Sequence, residues 1–170
     1  SCLNLPVTSV VVPDSFDGLP VKEIAPDGFA GCANLKTVII SEGVTKIGKN
    51  AFKKRDIVEI TLPDSLIEIC EGAFYDCKKL ERINWGNSLE IIGKEAFENC
   101  DSLVEVSLPD SLKTLGAKAF YKCKGLKNIY IGGSLTRIED YTFFECSKLK
   151  TVEMSRTILE IGYQAFRCCY

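Results

Sequence analysis

Apolar residues recur along this chain with a period of about 23 residues. The clearest column is phenylalanine, whose members are spaced by 22 or 23 residues: Phe29, Phe52, Phe74, Phe97, Phe120, Phe143 and Phe166. A constant period in this range predicts a solenoid, in which each repeat buries its apolar face against its neighbours.

Each repeat also carries a short strand pattern, as in Leu103, Val106 and Leu108, where the last two apolar residues flank a polar one. Alternation of this kind is typical of a half-buried strand, so we expect seven strands of the same direction in one parallel sheet. A turn such as Pro109-Asp110-Ser111 ends the strand. The next segment, such as 93–100, is rich in Ala, Glu and Lys, which predicts one or two helical turns.

Two places depart from the repeat. Residues 16–20 are extra, and Gly18 and Pro20 predict a hairpin or loop there. Between Phe52 and Ile57 one residue is missing, and Arg55 stands where other repeats carry cysteine. Because a buried charge is costly, we expect the Arg55 side chain to turn outward.

The chain has nine cysteines and no histidine. Six cysteines occupy one repeat position, which predicts a buried column of small apolar thiols: Cys32, Cys77, Cys100, Cys123, Cys146 and Cys169. Disulfides between neighbouring repeats are a geometric alternative. Cys2 is the best candidate for an exposed thiol, and Trp85, at the position of Leu108, is expected to be buried. No C-x-x-C pair supports a zinc site.

Charge and composition narrow the function classes. Lys and Arg total 21 against 23 Asp and Glu, which does not favour nucleic-acid binding. No apolar run reaches the length of a membrane span. Without histidine or a phosphate-binding glycine loop we expect no enzyme, no cofactor and no metal site. The chain begins at Ser1 and stops inside a repeat, so we expect it to be a piece of a longer protein.

The pattern Ile-Gly-x-x-Ala-Phe-x-x-Cys-x-x-Leu, seen at 92–103 and continued to Leu112, resembles the BspA-type leucine-rich repeat of bacterial and protist surface proteins. The resemblance implies an α/β solenoid, a right-handed superhelix with a parallel sheet on the concave face and short helical or irregular segments on the convex face. We expect residues 1–170 to form one solenoid of about seven repeats, incomplete at both ends. The family also implies an extracellular or cell-surface location and adhesion to host or neighbouring-cell proteins. It brings no catalytic residues.

Residues between the buried strand positions are the candidate partner-binding strip: Thr37, Ile39, Glu59, Thr61, Arg82, Asn84, Glu105, Ser107, Asn128, Tyr130 and Glu153. Arg82 and Tyr130 are the expected anchors, because Arg and Tyr often dominate interface energetics. Glu59, Arg82 and Glu105 should alternate in sign on adjacent strands, and a surface charge ladder of little energetic value is the competing interpretation. A structural spacer that displays another domain is the alternative function, and carbohydrate is a weaker alternative ligand.

Overall fold

The computed structural model describes residues 7–169, and Cys2, the predicted exposed thiol, lies outside them. The described chain winds through about six turns of a parallel-sheet β-solenoid. Each turn contributes two strands and one turn-rich segment, which stack on three faces of the solenoid.

The first face carries the longer strands: β1 (Ser9–Val12), β5 (Thr37–Ile40), β7 (Glu59–Thr61), β9 (Arg82–Asn84), β11 (Glu105–Ser107), β13 (Asn128–Ile131) and β15 (Thr151–Met154). All pairings on this face are parallel and in register, with Val38 opposite Ile60 and Ile60 opposite Ile83. These strands form two sheets, β1-β5-β7-β9 and β11-β13-β15. The expectation of one continuous sheet of seven strands is therefore wrong at the step from β9 to β11.

The second face carries two-residue strands: β4 (Glu23–Ile24), β6 (Lys46–Ile47), β8 (Glu68–Ile69), β10 (Ile91–Ile92), β12 (Thr114–Leu115), β14 (Arg137–Ile138) and β16 (Glu160–Ile161). They form a sheet from β4 to β12 and a separate pair of β14 with β16. The extra residues near the N-terminus form an antiparallel hairpin of β2 (Ser15–Phe16) and β3 (Leu19–Pro20). Its two-residue turn, Asp17-Gly18, has positive φ at both positions, as a type I′ turn requires.

The third face contains no helix anywhere in residues 7–169, so the predicted helical turns and the predicted α/β class are wrong. Within 95–100 the backbone N–H groups alternate in their acceptors. Ala96 and Glu98 donate three residues back, whereas Phe97 donates to Ala119 of the next turn at 2.8 Å. Positive φ at Glu95 and Asn99 supports this alternation and is incompatible with an α-helix. The third face is thus a backbone ladder between successive turns.

The core consists of the predicted columns. Phe52, Phe74, Phe97, Phe120 and Phe143 are fully buried, which confirms the phenylalanine column. Their rings stack face to face on their neighbours, with centroid separations that include 5.0 Å between Phe74 and Phe97. The glycine that follows four of the seven second-face strands allows close approach, since a Cβ on Gly93 would lie 2.6 Å from the Glu71 nitrogen.

The cysteine column is buried as predicted at Cys77, Cys100, Cys123 and Cys146, all of which are free thiols. Each thiol donates to a phenylalanine carbonyl of the preceding turn, as from Cys100 Sγ to Phe74 O at 3.3 Å. Cys169 at the column's end is half-buried, and Cys32 takes part in a disulfide. Arg55, in the shortened repeat, is half-buried and stays out of the core, because its Nε donates to the Lys53 carbonyl at 3.1 Å.

Candidate functional site

The candidate strip lies along the first face in two rows set by strand register. Thr37, Glu59 and Arg82 are opposite one another in the first row, and Ile39, Thr61 and Asn84 in the second. The sheet is interrupted between β9 and β11, and we call this interruption the break. Beyond it, Glu105 pairs with Asn128, while Ser107, Tyr130 and Glu153 continue the second row. The rows face outward because they alternate with buried residues of the column that includes Val38, Ile60, Val106 and Ile129.

Exposure differs along the strip. Arg82, Asn84, Glu105, Ser107 and Glu153 are exposed. The Tyr130 side chain is 44% exposed and Ile39 is 41% exposed, which leaves apolar surface in contact with solvent. The remaining four strip residues are half-buried between neighbouring side chains: Thr37, Glu59, Thr61 and Asn128. The strip therefore presents a mixed polar and apolar surface.

Four polar side chains form a network in the N-terminal half of the strip. Arg82 Nη2 lies 3.2 Å from Glu59 Oε2, and Asn84 Nδ2 donates to Glu59 Oε1 at 3.1 Å. Asn84 also donates to Thr61 Oγ1 at 3.2 Å. The hydrogen bond from Arg82, assisted by the one from Asn84, lowers the pKa of the Glu59 carboxyl. The network holds these side chains in place on the surface.

The predicted charge alternation extends over only two strands. Arg82 contacts Glu59 and, at 3.5 Å, Glu81. Glu105 makes no ion pair with any residue in 7–169. The reason is the break in the sheet, which separates β9 from β11.

At the break the regular backbone hydrogen bonds are missing. In the preceding repeat, Leu62 donates to Asn84 and Arg82 donates to Val58. Their counterparts, the N–H groups of Trp85 and Glu105, have no backbone acceptor within the described chain. Most Cα–Cα separations between β9 and β11 exceed 8 Å, whereas nearly all of those between the paired strands β7 and β9 are within 8 Å.

Trp85 explains the break. Its column position holds Leu62, Leu108 and Ile131, which are at most 4% exposed. The indole is much larger than these side chains, and it packs edge-on against Phe97 with the ring centroids 5.7 Å apart. Trp85 is half-buried rather than buried as expected, and Ile83 beside it is half-buried too. We infer that this larger ring keeps β11 from pairing with β9.

A groove follows the break. Its centre is a cavity of about 390 Å³ lined by residues 81–85 and 104–107. A cavity of about 460 Å³ adjoins one end, where Lys127 and Lys148 line the wall together with Glu81 and Arg82. A third, of about 480 Å³, adjoins the other end and contains Trp85 and Asp110. Shared lining residues make these three cavities one continuous groove, which sequence reasoning missed.

Two further surface features received no role from the sequence: the hairpin predicted at 16–20, and a pair of half-buried rings on the third face. The hairpin displays Phe16 and Leu19, which are 69% and 71% exposed, and Val11 lies on the first face opposite Ile39. The sequence signal was the Asp17-Gly18 pair between apolar residues. On the third face Tyr121 stacks on Phe144 with centroids 5.2 Å apart.

The described part of the chain offers no group of three or more His, Cys, Asp or Glu side chains arranged to hold a metal ion. Nor does any helix within residues 7–169 have the length and apolar character needed to cross a membrane.

Several bacterial proteins of known structure share this fold. A T. pallidum leucine-rich repeat protein is 35% identical, with a TM-score of 0.92 over 97% of this chain and 78% of its own. A leucine-rich cell surface protein of Faecalibacterium prausnitzii is 26% identical, with a TM-score of 0.82 over 96% of this chain and 46% of its own. The pneumococcal vaccine antigen PcpA shares the fold at 22% identity, with a TM-score of 0.62 over 95% of this chain and 58% of its own.

A search of the curated proteins gives no match. The sequence profile of the BspA type leucine-rich repeat region matches residues 3–103 and 68–170, with six copies of the repeat. Leucine-rich repeat proteins are generally non-enzymatic modules for protein interaction or surface display. The chain belongs to the BspA type leucine-rich repeat family.

Proposed function

We propose that this chain is a protein-binding module for adhesion or recognition in a secreted or cell-surface protein. The observation that carries the proposal is the outward strip of eleven residues on two parallel sheets, within each of which the backbone register fixes their spacing. A partner that contacts both halves of the strip gains many contacts without ordering a loop, and this lowers the entropic cost of binding.

The strip has suitable anchors. Tyr130 offers a half-exposed ring at the C-terminal half, and Arg82 is held by Glu59 and Glu81 in the centre. Tyrosine and arginine in such positions are common hot spots of protein interfaces. The cell-surface description of the F. prausnitzii protein supports an extracellular or surface location for this chain. We include all of residues 1–170 in this single solenoid module, whose ligand is a host or neighbouring-cell protein.

The test is a comparison of two double variants in capture of surface proteins from host-cell and bacterial extracts. Arg82→Glu with Tyr130→Ala should reduce capture of every specific partner at least about tenfold, because both anchors lie on the strip. Arg156→Glu with Tyr163→Ala is the matched control, since both residues are exposed and lie outside the strip. Circular dichroism should show both variants folded.

Equal capture by the two double variants would contradict a binding role for this strip. Absence of any specific partner for the wild-type chain would favour the spacer alternative, in which the solenoid displays another domain.

A further inference from the structure

We propose that an extended peptide segment of a partner protein binds in the groove between β9 and β11 as an added strand. The proposal deepens the proposed function, because it assigns one part of the binding face to a particular kind of ligand. The ligand pairs through its backbone with the facing edges of β9 and β11, which the break leaves unpaired.

Both walls of the groove present free backbone groups. The N–H groups of Trp85 and Glu105 have no backbone acceptor within the described chain, although their counterparts in the neighbouring repeats do. An added strand needs about 4.8 Å on each side, or roughly 9.6 Å between its two neighbours. Most Cα–Cα separations between β9 and β11 exceed 8 Å, so these two strands lie further apart than directly paired strands do. Strand addition of this kind supplies main-chain hydrogen bonds to a bound peptide.

The groove stays open without separating the two turns of the solenoid. On the second face Ile91 still pairs with Thr114, and on the third face Phe97 donates to Ala119. Phe97 also stacks on Phe120 at 5.2 Å in the core. Two backbone ladders and the core therefore hold the turns together while Trp85 separates them on the first face. A ligand meets a preformed site, which lowers the cost of binding.

The side chains of the groove define the peptide further. Successive residues of a strand point to opposite faces, so every second peptide residue faces the half-buried Ile83 and Trp85. These positions favour apolar side chains. At one end Lys127 and Lys148 are exposed and form no ion pair with a described residue. A carboxylate on the peptide at that end would complement them. The ligand is thus an extended peptide with alternating apolar residues and an acidic residue near one end.

The test begins with a phage-displayed library of random linear octapeptides, selected on the wild-type chain. Trp85→Leu installs the residue type found at the same column position in Leu62 and Leu108, so it should fold, close the break and weaken the selected peptides at least about tenfold. Leu62→Ile, in the same column at an intact step, is the matched control and should bind like wild type. Lys127→Glu with Lys148→Glu should weaken the acidic peptides without affecting the fold, because both lysines are exposed.

Amide hydrogen exchange gives a second readout. A bound peptide should slow exchange at the N–H groups of Trp85 and Glu105, and N-methylation of alternate peptide residues should abolish binding. The proposal is overturned if the library yields no binder, if Trp85→Leu binds the peptides as wild type does, or if those amides stay unprotected. If no peptide binds in the groove but the Arg82 and Tyr130 double variant still loses protein capture, only the groove proposal is refuted. If the selected peptides bind in the groove while the double variant captures proteins as well as its control does, the strip is refuted and the groove is retained.

Discussion

At the scale of single residues, the repeated columns are scaffold, and the sequence predicted them well. Phe97 and Cys100 recur at a constant period because each must fit between identical neighbours in the turns on either side. The thiol donates to the Phe74 carbonyl, so the cysteine serves both as a small apolar side chain and as a weak donor. The prediction that Trp85 is buried was wrong, because a pattern shows which positions are apolar and does not show whether a larger side chain fits.

Burial of the cysteine column makes alkaline stability a test of the core. Burial raises the pKa of the Cys77 thiol from 9.0 to about 12, and it raises that of Cys100 well above 9.0. Above about pH 9 the unfolded chain loses these protons while the folded chain keeps them. The free energy of unfolding should therefore fall as the pH rises, by about 1.4 kcal/mol per pH unit for each buried thiol. Below about pH 8 the column should contribute no pH dependence.

Urea unfolding between about pH 7 and pH 10.5 measures this slope. Cys100→Ala should be less stable than wild type at pH 7 and should lose less stability with rising pH, because one buried thiol is gone. Cys168→Ala is the control, since Cys168 is half-buried and lies outside the column. A slope for Cys100→Ala equal to that of wild type would show that its thiol is not protected by the fold.

At the scale of elements, the strands followed the sequence pattern and the third face did not. The segment 93–100 contains good helix formers, but its N–H groups find acceptors in the next turn, as Phe97 does in Ala119. Stacking of turns thus overrides intrinsic propensity, which is a weak preference over so few residues. The cost is a left-handed backbone at two positions of each typical repeat, such as Glu95 and Asn99.

Lys54 allows a direct measurement of that cost. It is exposed, has a φ of 58°, and forms no ion pair within residues 7–169. Lys54→Gly should raise the free energy of unfolding by up to about 1 kcal/mol, because glycine adopts positive φ without strain. Lys150→Gly is the control: Lys150 is exposed, does not have positive φ, and should lose stability on the same change. Chemical denaturation of both variants decides the matter, and destabilisation by Lys54→Gly would contradict strain at that position.

At the scale of the whole molecule, successive turns are joined by a ladder of backbone hydrogen bonds on each of the three faces and by a continuous core. The step from β9 to β11 lacks the ladder of the first face. The sequence predicted the position of the strip residues, because alternation along each strand determines which side chains point outward. It could not predict the groove, which arises from the size of one indole relative to Leu62 and Leu108. The second face has its own unpaired step, one turn further along, between β12 and β14.

The missing ladder makes the step from β9 to β11 the weakest coupling between repeats on the first face. In a solenoid, stability is approximately the sum of repeat terms and nearest-neighbour interface terms, so a weak interface is where unfolding becomes uncoupled. Phe97 stacks on Phe120 across this step and is fully buried. Phe97→Ala should remove about 3–5 kcal/mol of stability and weaken the core contact between the two halves at the step that already lacks the first-face ladder.

Phe52→Ala provides the matched comparison. Phe52 is equally buried, and both strand ladders are intact where its turn meets the next one. Both variants should lose similar stability, but only Phe97→Ala should unfold in two separate transitions in guanidinium chloride. Hydrogen exchange should then show residues on either side of the break opening at different denaturant concentrations. A single transition for both variants would mean that the second- and third-face ladders alone suffice to keep the solenoid cooperative across the break.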